Sequence, residues 1–326
     1  MRSNGISATL LALIGSFILI SSVSAQEALR RVRISYPEPT DCCFPLLAAY
    51  QWKIFGQNGL KAEIVLMESR LANPALLSGD IDFVAGVGPN SVSGTLRGMA
   101  TRAVWFASNQ LEFVLVAKPE FRQLSDLRGR KIGLPALGGT SDVALTIALQ
   151  DVGEKRNDFT FLPLAGQLFS ALATGVVDGA LLSPPWIFHA ERKGFREVLN
   201  VGSRVKMPLG GLTTLLSTIK TRPDETKRVI LSLQQAQKTM LQSQEKSVDL
   251  IVQFLKVDRE TAEKSYRLYK ETTSDNNGVP SRAGMARIVE AIQMLGQFRD
   301  RKIAFEEIAD DRIAREVAKD LGYKVD

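Results

Sequence analysis

Strand-like and helical runs alternate along residues 31–182, and part-way along the alternation starts again. Residues 31–36 (RVRISY) alternate in polarity as a strand does, and Pro37 and Pro39 end the run. Residues 44–55 carry apolar side chains at helical spacing, 62–67 (AEIVLM) read as a second strand, and 72–77 as a short helix. Residues 81–87 (IDFVAGV) are strand-like, Pro89 suits the first turn of another helix, and 103–107 and 111–117 (LEFVLVA) are compact buried runs. The order then repeats. Residues 130–134 form a strand, Gly138-Gly139-Thr140-Ser141 leads into a helix through about Gln150, and strands at 159–164 and 180–182 flank a helix at 168–174. Alternation of this kind predicts an α/β chain with mostly parallel sheets flanked by helices.

An internal echo supports two such units. Ala75-Leu76-Leu77-Ser78-Gly79-Asp80-Ile81-Asp82 parallels Ala171-Leu172-Ala173-Thr174-Gly175-Val176-Val177-Asp178, and a proline follows each final aspartate, at Pro89 and Pro185. The shared pattern is a helix, a terminal glycine, a buried strand and a proline at the next helix start. Asp82 and Asp178 are read as residues that fix backbone N–H groups rather than as catalysts.

Beyond a last strand-like run at 212–217 the chain turns helical. Pro223 with Asp224 and Glu225 marks one helix start, and Val229, Leu233, Ala236 and Met240 form its apolar face. A later helix follows Pro280-Ser281, with Met285, Ile288, Val289, Ile292 and Leu295 on one side. These helices pack most economically around the first unit. The expected organisation is a first lobe of residues 26–117 with 209–326 and an inserted second lobe of 118–208. Strands at 111–117 and 211–217 are expected to cross between them.

Residues 1–25 read differently. Arg2 gives a positive start, 10–20 (LLALIGSFILI) an apolar stretch, and Val23 and Ala25 the small residues of a cleavage site before Gln26. Counted from Ile6 the apolar segment is shorter than the ~20 residues needed to span a bilayer. A cleavable signal peptide and a soluble, periplasmic mature protein are expected. The formal charge of +6 is spread among interleaved acids and bases, so nucleic acid is not an expected partner. The single histidine, His189, excludes multi-histidine metal sites and leaves a nucleophilic enzyme only one imidazole base.

Three segments in order, Ala-Leu-Leu-Ser-Gly-Asp-Ile-Asp-Phe (75–83), Leu-Ser-Asp-Leu-Arg-Gly-Arg-Lys-Ile-Gly (124–133) and Gly-Val-Val-Asp-Gly-Ala-Leu-Leu-Ser-Pro-Pro-Trp (175–186), lie behind the leader. This chain resembles the periplasmic solute-binding proteins of nitrate/sulfonate/taurine-type ABC importers, a superfamily shared with pyrimidine-precursor synthases. The resemblance runs from about Val32 to Gly322. It implies a two-lobed type II periplasmic binding protein fold with ligand in the cleft, an ABC permease in the inner membrane as partner, a monomer, and no reaction, cofactor or metal. A synthase-like enzyme or a module sensing ligand for a membrane receptor are the rival readings. Asp41-Cys42-Cys43-Phe44-Pro45 only faintly matches the cysteine-rich run of the synthases, lacking their extra cysteines and any neighbouring histidine.

Candidate ligand contacts follow from the loops between strands and helices, where open α/β sheets place ligands. Gly139, Thr140 and Ser141 open a helix whose N–H groups and dipole suit an anionic group, their alternative role being to cap it. Thr40, Asp41, Cys42, Asn90 and Ser91 are the matching first-lobe candidates. Trp186 offers either a stacking face for ligand or interlobe packing. Adjacent Cys42 and Cys43 read as a vicinal disulfide or as two small buried residues. With helix starts at one end and Asp41 at the other, the expected ligand is a small polar organic molecule, zwitterionic or heteroaromatic, with an acceptor-rich end and an N–H donor end.

Overall fold

The structure, a computed structural model, describes residues 28–273 and 277–325, so the leader expected at 1–25 lies outside the described residues. The strands are β1 (Arg30–Tyr36), β2 (Leu60–Leu66), β3 (Phe83–Val84), β4 (Thr101–Ser108), β5 (Val114–Ala117), β6 (Lys131–Leu134), β7 (Thr160–Pro163), β8 (Gly179–Leu182), β9 (Arg196–Asn200) and β10 (Leu209–Leu215). They form two five-stranded sheets, ordered β2-β1-β3-β10-β4 and β7-β6-β8-β5-β9. In each sheet four strands run one way and one runs against them. The reversed strands, β10 and β5, are the ones the chain reaches on arriving from the other sheet. Helices flank both sheets, as the alternation predicts.

The chain therefore changes sheet between Ser108 and Val114 and returns between Asn200 and Leu209. Residues 111–117, expected to cross as the last strand of the first lobe, differ from that expectation. Val114–Ala117 are fully paired between β8 and β9, inside the second sheet. The physical reason is burial: a strand buried on both faces must satisfy its backbone groups on both edges, which only an interior position does. The connectors 109–113 and 201–208 make the passage instead.

Local sequence accounts for most elements. The helix Pro223–Gln242 starts on its proline and buries Val229, Leu233, Ala236 and Met240. The run expected to be one helix over 44–55 breaks after Phe44–Gln51, because Lys53 takes a left-handed conformation at φ 57° before Ile54–Gln57 resumes. The strand expected over 81–87 is paired only at Phe83–Val84, and the helices Gln244–Leu255, Arg259–Thr273 and Arg312–Asp320 are additional to those anticipated. The echo is structural as well as sequential. The Asp82 N–H donates to Arg33 O and the Asp178 N–H to Lys131 O, both at 2.8 Å. Each carboxylate returns the bond, Asp82 accepting from the Arg33 N–H at 2.8 Å and Asp178 from the Lys131 N–H at 3.4 Å. Arg222 and Lys118 complete the pairs. Both aspartates thus clamp neighbouring strands.

The first core gathers Val32, Ile34, Phe44, Phe83, Leu233 and Tyr266 beside the first sheet. A second apolar cluster spans both sheets, joining Phe106, Met285 and Ile292 to Leu115, Ile132 and Leu145. At the far edge Arg192 pairs with Asp258, and Lys264 lies 3.8 Å from Glu191. Among the described residues no helix is long and apolar enough to cross a membrane.

Candidate functional site

Between the two sheets lies a cavity of about 140 Å³ lined from both sides. It brings together eight of the nine candidates, Thr40, Asp41, Cys42, Asn90, Ser91, Gly139, Thr140 and Ser141. The ninth, Trp186, stands apart. Its ring stacks on Phe169 at 6.1 Å and 15°, packs against both the first core and the second lobe's own cluster, and does not line the cavity. The helix Trp186–Arg192 turns this ring onto the second lobe's helix Leu168–Ala173 instead of into the cleft.

Part of the cavity lining is built from two helix starts. Gly88 precedes Pro89–Leu96 and Gly139 precedes Thr140–Asp151. The Gly88 N–H donates to Ser91 Oγ at 3.0 Å while that hydroxyl donates back to Gly88 O at 2.9 Å, so the Ser91 side chain is occupied with capping. The Gly138 N–H donates to Asp142 at 2.7 Å, which leaves the Thr140 and Ser141 hydroxyls free of any capping duty at their own helix start. The two starts approach so closely that a Cβ on Gly88 would overlap the Thr140 hydroxyl. A side chain there would have to displace the Thr140 hydroxyl, while the φ of 177° is ordinary extended backbone. Two positive helix ends from opposite lobes thus converge on one space.

Another part of the lining is acidic. Asp41 is 4% exposed, its Oδ1 has no hydrogen-bond partner, and its N–H donates to Pro184 O across the lobes at 3.3 Å. Burial pushes its carboxyl up to about 6, against the pull of hydrogen bonds from Ser183 and the Cys42 N–H. Glu38, on the same lining, is pushed up to about 7 by burial and then by the Asp41 charge. Ser35, 1% exposed, adds a hydroxyl with no partner. No lysine, arginine or histidine is among the lining residues. Cys42 and Cys43 are free thiols with their sulfurs 3.1 Å apart. His189 packs edge-on against Phe169 at 4.6 Å, outside the lining.

Sequence reading missed Glu112, which lies behind Asp41 at 6% exposure and accepts a hydrogen bond from the Thr272 hydroxyl. A signal was present: it is the one charge in the otherwise apolar run 111–117. A wider space of about 520 Å³ continues outward from the cavity past Glu38, with Glu68 and Arg70 on one side and Ala136, Leu137 and Leu164 on the other.

Two sheets, each with one reversed strand, closing on a bipolar cavity have the architecture of the periplasmic binding proteins. The periplasmic nitrate-binding protein of Synechocystis PCC 6803 superposes with a TM-score of 0.76 at 15% identity, over 90% of this chain and 89% of that one. The alkanesulfonate-binding protein of Xanthomonas axonopodis pv. citri, bound to MOPS, gives 0.68 at 18% identity, over 88% and 97%. The family model described as "NMT1/THI5 like" matches residues 43–247, and the chain belongs to that family. A candidate binding protein of Brucella abortus (strain 2308) is 26% identical over 247 residues, which is 68% of this chain and 70% of that protein.

Proposed function

We propose that this protein is the solute-binding component of an ABC importer, exported by a cleavable signal peptide, which captures a small polar organic molecule between its lobes and delivers it to an inner-membrane permease. The observation that carries the reading is the pairing of opposite polarities around one cavity: two helix starts and buried Asp41, with residues of both lobes around them. Ligand contacts to both lobes stabilise the closed arrangement by their differential affinity, with the connectors 109–113 and 201–208 as the hinge.

The same pairing describes the ligand. Its acceptor-rich end meets the N–H groups beside Thr140 and Asn90, and its N–H donor end meets Asp41. An aminosulfonate, an amino-carboxylate or a nitrogen heterocycle has both ends; nitrate and sulfate have one. MOPS, the molecule held by the Xanthomonas neighbour, is an aminosulfonate. In volume the cavity compares with a ~150 Å³ site that admits benzene, so a single ring or a short chain fills it.

Native mass spectrometry of the purified protein tests for a retained ligand, and a thermal-shift panel tests its class. Ligand at about 100 times its dissociation constant adds roughly 2.7 kcal/mol of stability. Stabilisation by two-ended molecules, with a smaller radius of gyration in solution scattering, is the expected result. Stabilisation by nitrate or sulfate alone overturns the ligand class, and turnover of a bound molecule to a new product overturns the transport reading.

A further inference from the structure

Beneath the cavity two buried carboxyl groups each have one oxygen without a donor among the described residues: Oδ1 of Asp41 and Oε2 of Glu112. The side chains are in hydrogen-bonding contact with each other. Ionised carboxylates only accept, so two of them side by side leave both oxygens unsatisfied, and a dry site does not hold both charges. One proton between them satisfies both oxygens together.

The surroundings decide which group carries it. Burial raises Asp41, but hydrogen bonds from the Ser183 hydroxyl, the Cys42 N–H and the Thr40 hydroxyl favour its anion. Glu112 has the Thr272 hydroxyl on its other oxygen and no further donor among the described residues. Among the described residues, the ionisable groups that act with it are Asp41, Glu271 and Tyr269, and those that act with Asp41 are Glu38 and Cys42. None is a cation. Burial and then the Asp41 charge push the Glu112 carboxyl well above the usual range.

We propose that Glu112 is a neutral acid that donates its proton to Asp41, a positioning residue that sets one negative charge at the floor of the cleft. Glu112 lies on the connector between the two sheets and Thr272 on the helix Arg259–Thr273, so the shared proton ties the cleft loop to the hinge. This holds for the ligand-free protein, and it and the solute-binding proposal fail separately.

The test compares folding equilibria of the wild-type protein and Glu112→Gln across pH. The carboxamide keeps the shape, donates to Asp41 and accepts from Thr272, without a titrating proton. Folded wild type then binds one more proton than its unfolded chain, so the folding constant of the variant gains on it about tenfold per pH unit from about pH 5 to about pH 7. Parallel curves over that range overturn the proposal. A readout independent of the variant's folding is infrared spectroscopy near pH 7, comparing Glu38→Gln with Glu38→Gln/Glu112→Gln, a pair that removes the acid raised to about 7 and isolates the Glu112 band while leaving Asp41 mostly ionised. A protonated carboxyl carbonyl band is expected in the difference between the two, and its absence overturns the assignment.

Discussion

Two parts of the cleft lining carry charge by different means. The Gly88–Thr140 part uses backbone: two helix starts, one from each lobe, brought together because Gly88 has no side chain. The Asp41 part uses side chains: a buried carboxylate with an unfilled acceptor, Glu38 beside it and Glu112 behind. Backbone N–H groups and helix dipoles keep their charge at every pH, whereas carboxyl groups raised by burial change theirs near neutrality. The cleft therefore has one fixed pole and one that can be titrated, and altering each pole separately tests the difference.

The largest effect is expected at the acidic pole. Asp41→Ala should weaken two-ended ligands by about 2–5 kcal/mol, the range for removing one partner of a buried charged pair, and leave single-ended anions unaffected or bound more tightly. Calorimetric titration with a matched pair, such as an aminosulfonate and its amine-free analogue, measures this. Equal losses for both compounds would mean that the poles are not separate.

Next comes the fixed pole. Gly88→Val places a side chain where the Thr140 hydroxyl now lies, and overpacking of this kind costs about 1–3 kcal/mol. Because the cost falls on the closed arrangement, affinity should drop for every ligand that binds, and scattering in its presence should show a larger radius of gyration. An unchanged radius with unchanged affinity would remove Gly88 from the account.

A smaller effect separates the poles by pH. With Asp41 near 6 and Glu38 near 7, both above the unfolded carboxylate values of ~4, the folded chain holds extra protons. Their contribution to stability is complete in acid below about pH 4 and lost as pH rises through 6 and 7, so melting temperature should fall over that window. Affinity for a cationic donor end should rise over the same window, while a purely anionic ligand loses affinity. A flat profile for both would show that the acidic pole does not titrate.

The smallest effect on binding is expected at Trp186. Trp186→Leu removes the stacked contact with Phe169 outside the cavity, so stability should fall by about 1–3 kcal/mol with affinity unchanged. A melting curve paired with a titration of the same sample checks both halves.

Eight of the nine candidate residues line one cavity because loop position in an α/β chain is written locally. A strand followed by a glycine, a small polar residue and a helical run places its loop at a strand end, as at Gly139-Thr140-Ser141. Trp186 fits the same template, yet its ring turns away, because side-chain direction depends on the neighbour it packs against, here Phe169. Glu112 could be noticed as a lone charge in a buried run, but its companions Asp41, Ser183 and Thr272 lie in three other segments. Pairing across such distances carries no local pattern.

The sequence by itself determined the α/β alternation, the repeat of its helix–glycine–strand–proline unit and the loops that carry polar residues, since each depends on periodicity and on the conformational limits of glycine and proline. Only the tertiary structure decided that β5 belongs to the second sheet, that Gly88 meets Thr140, and that buried Asp41 and Glu112 are neighbours. Those outcomes rest on contacts between segments far apart in the chain, where burial and hydrogen-bond satisfaction across the whole fold select one arrangement among many that the local pattern permits.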